Sequence, residues 1–236
     1  MPEFKANFIE KIQRTSSIVS FRFKPQGAID FLSGQFLKVM FDAGNKKNNI
    51  LNKYLSFSCA PGQDYFEITK RLSQSDFSKK LTSLQKKDEI LFAGPLGKCV
   101  LCKSDKKICF LVGGIGITPI ISIIEDVLAK KLDTNIILFY SNRNLEEIAF
   151  KKELDDWSNQ NNNIKIIYTI TDCESKDEKC FHGQISQDLV SKNAGDITSR
   201  KIFIFGPPKM VEAMKTLADE LGCQPEQVIT ESFVGY

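Results

Sequence analysis

Long apolar runs are missing from this chain of 236 residues: none approaches the ~20 apolar residues of a membrane helix, and Met1-Pro2-Glu3-Phe4-Lys5 carries no signal-peptide core. The expectation is a soluble, cytoplasmic protein without a membrane span. Histidine is reduced to one residue, His182, in a polar stretch before Gly183, and we assign it no catalytic part. Excess charge is small as well. A formal net charge of +3 does not argue for nucleic acid, and Lys46-Lys47, Lys86-Lys87 and Lys106-Lys107 read as solvated loop charges that an acidic partner can also meet. Cysteine occurs seven times, yet neither the Cys-x₄-Cys-x₂-Cys spacing of a plant-type iron–sulfur cluster nor paired Cys-x₂-Cys zinc knuckles are present. Cys99, Cys102 and Cys109 lie in or beside apolar runs where buried thiols are common, Cys59 and Cys223 stand alone, and Cys173 and Cys180 flank a charged loop. No metal site is expected, and the odd count favours free thiols in a reduced compartment.

With 42% hydrophobic and 26% charged residues, the chain has ordinary globular usage and enough length for two modest cores. Its two halves differ in period. Through about residue 100, short alternating or β-branched runs recur at 18–23, 35–41, 54–58, 65–70 and 89–92, which implies a small antiparallel β-barrel or sandwich. One helix is read there, over 76–84, with Ser75 or Asp76 as cap. From Ile108 onward, buried strand runs near 108–112, 135–140, 164–170 and 201–205 alternate with helices near 118–131, 145–157, 185–191 and 208–222. That alternation specifies an α/β domain with a doubly wound parallel sheet, whose ligands belong at the strand carboxyl ends. The expected division is a barrel domain over 1–102 and an α/β domain over 103–236. Trp157 ends one of the helices and is expected in the core.

The most informative stretch is Gly113-Gly114-Ile115-Gly116-Ile117-Thr118-Pro119, set between a buried strand run and an apolar helical run. Glycines that lack Cβ allow positive φ and close approach of a ligand, while free N–H groups and the positive helix end face an anion. Thr118 can cap the helix and Pro119 suits its first turn. The spacing departs from G-x-G-x-x-G, so on motif logic alone a phosphate turn and a plain tight turn remain open.

A set of ordered segments resembles the ferredoxin–NADP reductase-like flavoproteins. The glycine turn is similar to that family's pyridine-nucleotide loop. Leu138-Phe139-Tyr140-Ser141-Asn142-Arg143 with Glu146 to Phe150 resembles its second nucleotide segment, and Phe205-Gly206-Pro207-Pro208-Lys209-Met210 its Cys-Gly-Pro-x-x-Met segment. The ending Glu231 to Tyr236 resembles its short aromatic tail, Lys53-Tyr54-Leu55-Ser56 stands where it carries Arg-x-Tyr-Ser, and Gly94-Pro95-Leu96-Gly97 matches a structural turn. The resemblance implies a barrel that binds FAD, followed by a nucleotide-binding domain, together running NAD(P)H:acceptor oxidoreduction.

It also implies site roles. Lys53 takes the arginine role on the flavin phosphates, Leu55 the ring-packing role with Tyr54 as substitute, and Ser56 the hydroxyl contact to flavin N5. Thr69, Lys70 and Arg71, then Ser75, Asp76, Phe77 and Ser78 at a helix start, are the next flavin contacts, and a diphosphate there implies FAD rather than FMN. The nucleotide falls to Gly113, Gly114, Ile115, Gly116, Thr118 and Pro119, to Ser141, Asn142 and Arg143, and to Gly206, Pro207, Pro208 and Met210. Ser141 and Arg143 suit a 2′-phosphate, so NADP(H) is expected over NAD(H). Tyr236 is the expected gate over the flavin face and Glu231 a proton relay, so Ser56, Tyr236 and Glu231 form the catalytic set. Phe205 replaces the family's cysteine. The implied acceptor is ferredoxin, flavodoxin or an iron–sulfur subunit; the alternatives are a diaphorase or flavin reductase, and a non-catalytic nucleotide-sensing or electron-transfer subunit that the departures at Lys53 and Leu55 keep open.

Overall fold

A computed structural model describes residues 2–102, 104–172 and 180–233. In chain order the elements are β1 (Glu3–Gln13), β2 (Ile18–Pro25), β3 (Phe36–Met40), β4 (Asn52–Ser56), β5 (Phe66–Arg71), α1 (Asp76–Ser83), β6 (Glu89–Leu96), β7 (Lys107–Gly113) and α2 (Thr118–Ala129). They continue with β8 (Asn135–Asn142), α3 (Lys151–Gln160), β9 (Ile164–Ile170), β10 (Cys180–His182), α4 (Gln187–Asn193), β11 (Lys201–Gly206), α5 (Pro208–Glu220) and β12 (Val228–Ser232). Contacts divide the chain into two compact units, Met1–Leu101 with Thr118–Lys131, and Cys102–Ile117 with Leu132–Tyr236.

In the first unit, β1 to β6 form one antiparallel sheet in the order β4-β3-β6-β1-β2-β5. Its two edges meet where Phe57 bridges Ile68 and the Ser58 N–H donates to the Glu67 carbonyl at 2.8 Å, so the sheet curls into a half-barrel. Alternation along each strand turns one row of side chains inward. Phe8, Phe21, Phe23, Phe57, Phe66 and Phe92 lie in the half-barrel's core and meet largely edge-on, as at Phe66 and Phe92, 5.0 Å apart. Helix α1 packs against one end of this core. Ser75 caps it by accepting from the Ser78 N–H at 3.3 Å, while Phe77 and Leu81 are fully buried and Phe77 meets Phe41 edge-on at 5.3 Å.

The second unit is a six-stranded parallel sheet in the order β10-β9-β8-β7-β11-β12. Cys109, Leu111, Ile137, Phe139, Ile202 and Ile204 pack one face of it with Val190 of α4 and Val211, Met214 and Leu217 of α5. Strands buried on both faces read as unbroken apolar runs, which is why 108–112 and 202–205 show no alternation. At the amino-terminal edge of the sheet, the buried Arg200 donates to the carbonyl of Ile108 at 3.2 Å and to Asp196 at 2.6 Å.

Several expectations are corrected. The helix read over 145–157 is broken: a short 3-10 turn, Leu145–Glu147, is capped by Asn144, and Phe150 takes φ 60 before α3 starts. The buried Ile148, Ala149 and Phe150 impose that break, because a continuous helix would not turn all of them inward. Trp157 accordingly lies within α3, only half-buried, and not in the core. Cys102 is exposed and Cys99 half-buried, whereas Cys109 is buried as read. His182 closes the short strand β10 instead of lying in a loop. Strands β1 and β12 escaped the sequence reading, although Phe4, Ala6 and Phe8 alternate toward the core in the first.

Candidate functional site

Two inward rows of the half-barrel run past the core and end in lysine. On β5 the row is Phe66, Ile68, Lys70; on β4 it is Leu55, Lys53, with Leu55 packed on the core. Lys70 is 8% exposed, yet among the described residues its ammonium has no ion pair and no hydrogen bond, only the Phe77 ring 6.0 Å away. Its pKa is pushed down, first by burial and then by the charge of Lys53. Lys70 thus lies beside the start of α1, with the Lys53 ammonium near enough to act on it. The Ser78 hydroxyl is buried, accepting from the Ser73 N–H at 3.2 Å, and Asp76 faces Lys79 at 3.9 Å. Arg71 donates to the Ser17 hydroxyl at 2.8 Å. A buried cation with no counterion among the described residues, next to a helix N-terminus, suits a polyanion, and the diphosphate of a dinucleotide flavin fits that donor set.

Outward-facing residues of the same strands form a second group. Tyr54 is 56% exposed, edge-on to Phe36 at 5.8 Å and beneath the Lys38 ammonium at 5.3 Å, which makes it the accessible aromatic of this strand. Ser56 is buried and pairs with Phe36 across the ladder. Two residues on, the Ser58 hydroxyl lies 2.7 Å from Thr69 Oγ1, which lies 2.6 Å from Ser20 Oγ, so the Thr69 hydroxyl is engaged inside the protein. Ser58 also donates to Glu67, which is held by Arg14 at 3.1 Å and Arg22 at 3.0 Å.

In the second unit, the sequence-read nucleotide segments gather at the carboxyl ends of the strands. Each glycine has its own reason. A Cβ on Gly113 would stand 2.2 Å from Met210 Sδ, and one on Gly116 would stand 2.7 Å from the Phe205 carbonyl oxygen. Gly116 is needed for close backbone packing, and Gly113 makes room for the Met210 side chain. Gly114 alone takes the left-handed region, φ 53, and a Cβ there meets nothing within 4 Å, so its surroundings are open to a ligand. A 3-10 turn, Gly114–Ile117, leads into α2, with Pro119 in its first turn. Pro207 precedes α5 and Pro208 opens it. At the end of β8 Asn142 is 6% exposed, and neither its amide nitrogen nor its oxygen has a partner among the described residues; the Thr169 hydroxyl on β9 is orphaned likewise. Such groups cost about 1–3 kcal/mol each unless a ligand takes their bonds.

The turn after β8 also brings in a residue the sequence reading missed. The Asp172 N–H donates to the Arg143 carbonyl at 2.8 Å, which sets an acid beside the Ser141-Asn142-Arg143 segment. Only the pairing of β8 with β9 reveals it. Glu231 is half-buried on β12 opposite Phe205, and the Phe233 N–H donates to the Gly206 carbonyl at 3.0 Å. Tyr236 lies outside the described residues. Among the described residues no group of three or more His, Cys, Asp or Glu is placed to hold a metal, and no helix is long and apolar enough to cross a membrane.

An antiparallel half-barrel followed in the chain by a parallel sheet with an open glycine turn at its carboxyl edge is the class of fold that suits a flavin and a nucleotide. The family model for the oxidoreductase FAD-binding domain matches residues 3–101, and that for the oxidoreductase NAD-binding domain matches residues 110–216. The chain thus carries an oxidoreductase FAD-binding domain followed by an oxidoreductase NAD-binding domain. It is 28% identical over 240 residues to a flavohemoprotein of Bacillus subtilis, covering 98% of this chain and 59% of that protein. An NADH-cytochrome b5 reductase 1 of Coccidioides immitis is 26% identical over 242 residues, covering 95% and 77%. The flavohem-like FAD/NAD binding domain of nitric oxide dioxygenase from Vibrio cholerae shares the fold at a TM-score of 0.84 and 17% identity, covering 97% and 98% of the two chains. The chain spans about three-fifths of the length of the flavohemoproteins it matches.

Two outcomes follow. Gly116→Ala meets backbone atoms and lowers stability by about 1–3 kcal/mol, whereas Gly114→Ala loses only about 1 kcal/mol of backbone preference but weakens nucleotide binding, as denaturant melts and nucleotide titrations will register. Lys70→Met removes an uncompensated charge, so it raises the Tm of flavin-free protein by about 2–4 °C while weakening FAD binding about tenfold.

Proposed function

We propose that the protein is an NAD(P)H-dependent FAD oxidoreductase that passes electrons to a separate one-electron carrier. The observation that carries this reading is the pair of unneutralised lysines, Lys53 and Lys70, at the start of α1. The functional division proposed is 1–102 for flavin and 103–236 for nucleotide. Bound together, the two cofactors supply hydride transfer between a reduced pyridine ring and a flavin. This chain's part is binding and alignment. Lys53, Lys70 and the α1 N–H groups hold the diphosphate, Tyr54 and Leu55 border the flavin ring, and the Ser56 hydroxyl serves the flavin nitrogen. Gly114, Asn142 and Thr169 line the nucleotide edge, with Gly206 and Met210 supporting the glycine turn. Glu231 and Tyr236 are retained as proton relay and gate.

The choice of nucleotide turns on which charge meets the adenosine ribose. Arg143 and Ser141 suit a 2′-phosphate, but the Asp172 carboxylate repels one and accepts from a free 2′-hydroxyl. We propose NADH as the donor, a reading supported by the names of the cytochrome b5 reductase relatives. Those names and the flavohemoproteins widen the proposed carrier from ferredoxin, flavodoxin or an iron–sulfur subunit to a haem protein.

The purified protein is expected to be yellow and to bleach when NADH is added without oxygen; a colourless protein that binds nucleotide supports a sensing module instead. Asp172→Asn is expected to raise kcat/KM for NADPH relative to NADH about tenfold, or ~1.4 kcal/mol, and Arg143→Ala to lower it. An unchanged ratio in steady-state kinetics of both variants rules out this turn as the selector.

A further inference from the structure

Helix α2 starts at Thr118, directly after the nucleotide turn, yet its contacts group it with the half-barrel. We propose that Glu125 and Asp126 of α2 are positioning residues for the Ser56 end of β4, so that the helix opened by the nucleotide turn sets the geometry of the flavin strand. This rests on the flavin reading above.

Strand β4 ends where β3 begins, and Phe36 pairs with Ser56 there. The segments flanking that pair both run against α2. Before β3, the Ser33 hydroxyl donates to Asp126 Oδ2 at 3.0 Å. After β4, the Ala60 N–H donates to Glu125 Oε2 at 2.8 Å. A third bond, from the Phe57 N–H to the Gln35 carbonyl at 3.1 Å, ties the two segments to each other. Between them, a Cβ on Gly34 would stand 2.2 Å from the Cys99 carbonyl oxygen and 3.3 Å from Ile123 Cδ1, so the chain passes close under the helix. Ser56 therefore sits at the end of a strand whose neighbours on both sides are fixed by adjacent acids of one helix. Ordering the glycine turn restricts the first turn of that helix, and α2 passes the restriction on.

The two acids differ in their surroundings. Asp126 is buried but paired with Lys130 at 2.7 Å. Glu125 faces Glu67, Cys59 and Tyr65, with Arg14 and Arg22 beyond, and its carboxyl is pushed up from the ordinary range, chiefly by burial and further by Glu67. The shift favours the protonated form, which still offers an oxygen to the Ala60 N–H and puts less charge beside Glu67. Because the folded pKa is raised, this contribution to stability is complete below the ordinary glutamate range and is lost as pH rises through the folded value.

The test compares wild type, Glu125→Ala and Glu125→Gln by amide hydrogen exchange over 57–60, with and without NAD⁺, and by FAD dissociation constants. Glu125→Ala is expected to speed exchange at Ala60 about tenfold, to abolish the slowing that NAD⁺ causes there in wild type, and to raise the FAD dissociation constant about tenfold. Glu125→Gln restores all three and flattens the fall of Tm as pH rises above the ordinary glutamate range. A merely structural bond would lower the Tm of Glu125→Ala while leaving FAD binding and the NAD⁺ effect intact, and that result overturns the proposal. A wild-type protein that takes up no FAD removes the flavin reading and this inference with it; faster exchange at Ala60 in Glu125→Ala tells that failure apart from an absent bond.

Discussion

A positive charge with no counterion among the described residues stands at one end of the N-terminal half-barrel. Lys70 ends an inward row that begins with Phe66 and Ile68, so its stem is buried by the same alternation that builds the core. Lys53 arrives from β4 by the same logic and makes matters worse, since each ammonium raises the cost of the other. Such a pair is the feature on which the proposed flavin site rests. The aromatic core, the closing contact between β4 and β5, and the seating of Phe77 all serve to hold those two cations where they are.

The second unit solves a different problem, that of bringing backbone close to backbone at the carboxyl edge of a sheet. Gly116 lies against the Phe205 carbonyl because it lacks Cβ, and Gly113 and Gly206 leave room for the Met210 side chain between them. That leaves Gly114 as the one open position of the turn. Motif residues therefore divide between those that build the turn and those that face a ligand, with Asn142 and Thr169 adding buried polar atoms in need of partners.

Much of this was legible in the sequence because two periods differ sharply. Alternating runs before residue 100 and unbroken apolar runs after Ile108 were enough to separate an antiparallel from a parallel sheet, and the glycine turn marked its own strand and helix. What stayed hidden depends on pairing. Thr69 reads as a strand-end ligand until the β2–β5 register delivers Ser20 to its hydroxyl. Asp172 is an ordinary loop acid until β9 lies beside β8. The break at Phe150 follows from three buried residues in a row, which helical periodicity alone does not announce. Similarly, nothing in the spacing of Glu125 and Asp126 says that both reach the half-barrel.

If the lysine pair is the organising feature, affinity must follow phosphate and not the ring. The most direct measurement is a calorimetric titration of the flavin-free protein with FAD, FMN and riboflavin under identical salt. The account predicts that FAD binds tightest, riboflavin weakest by at least about a hundredfold, and that Lys53→Ala with Lys70→Ala removes most of the gap. Equal affinity for FAD and riboflavin would contradict it.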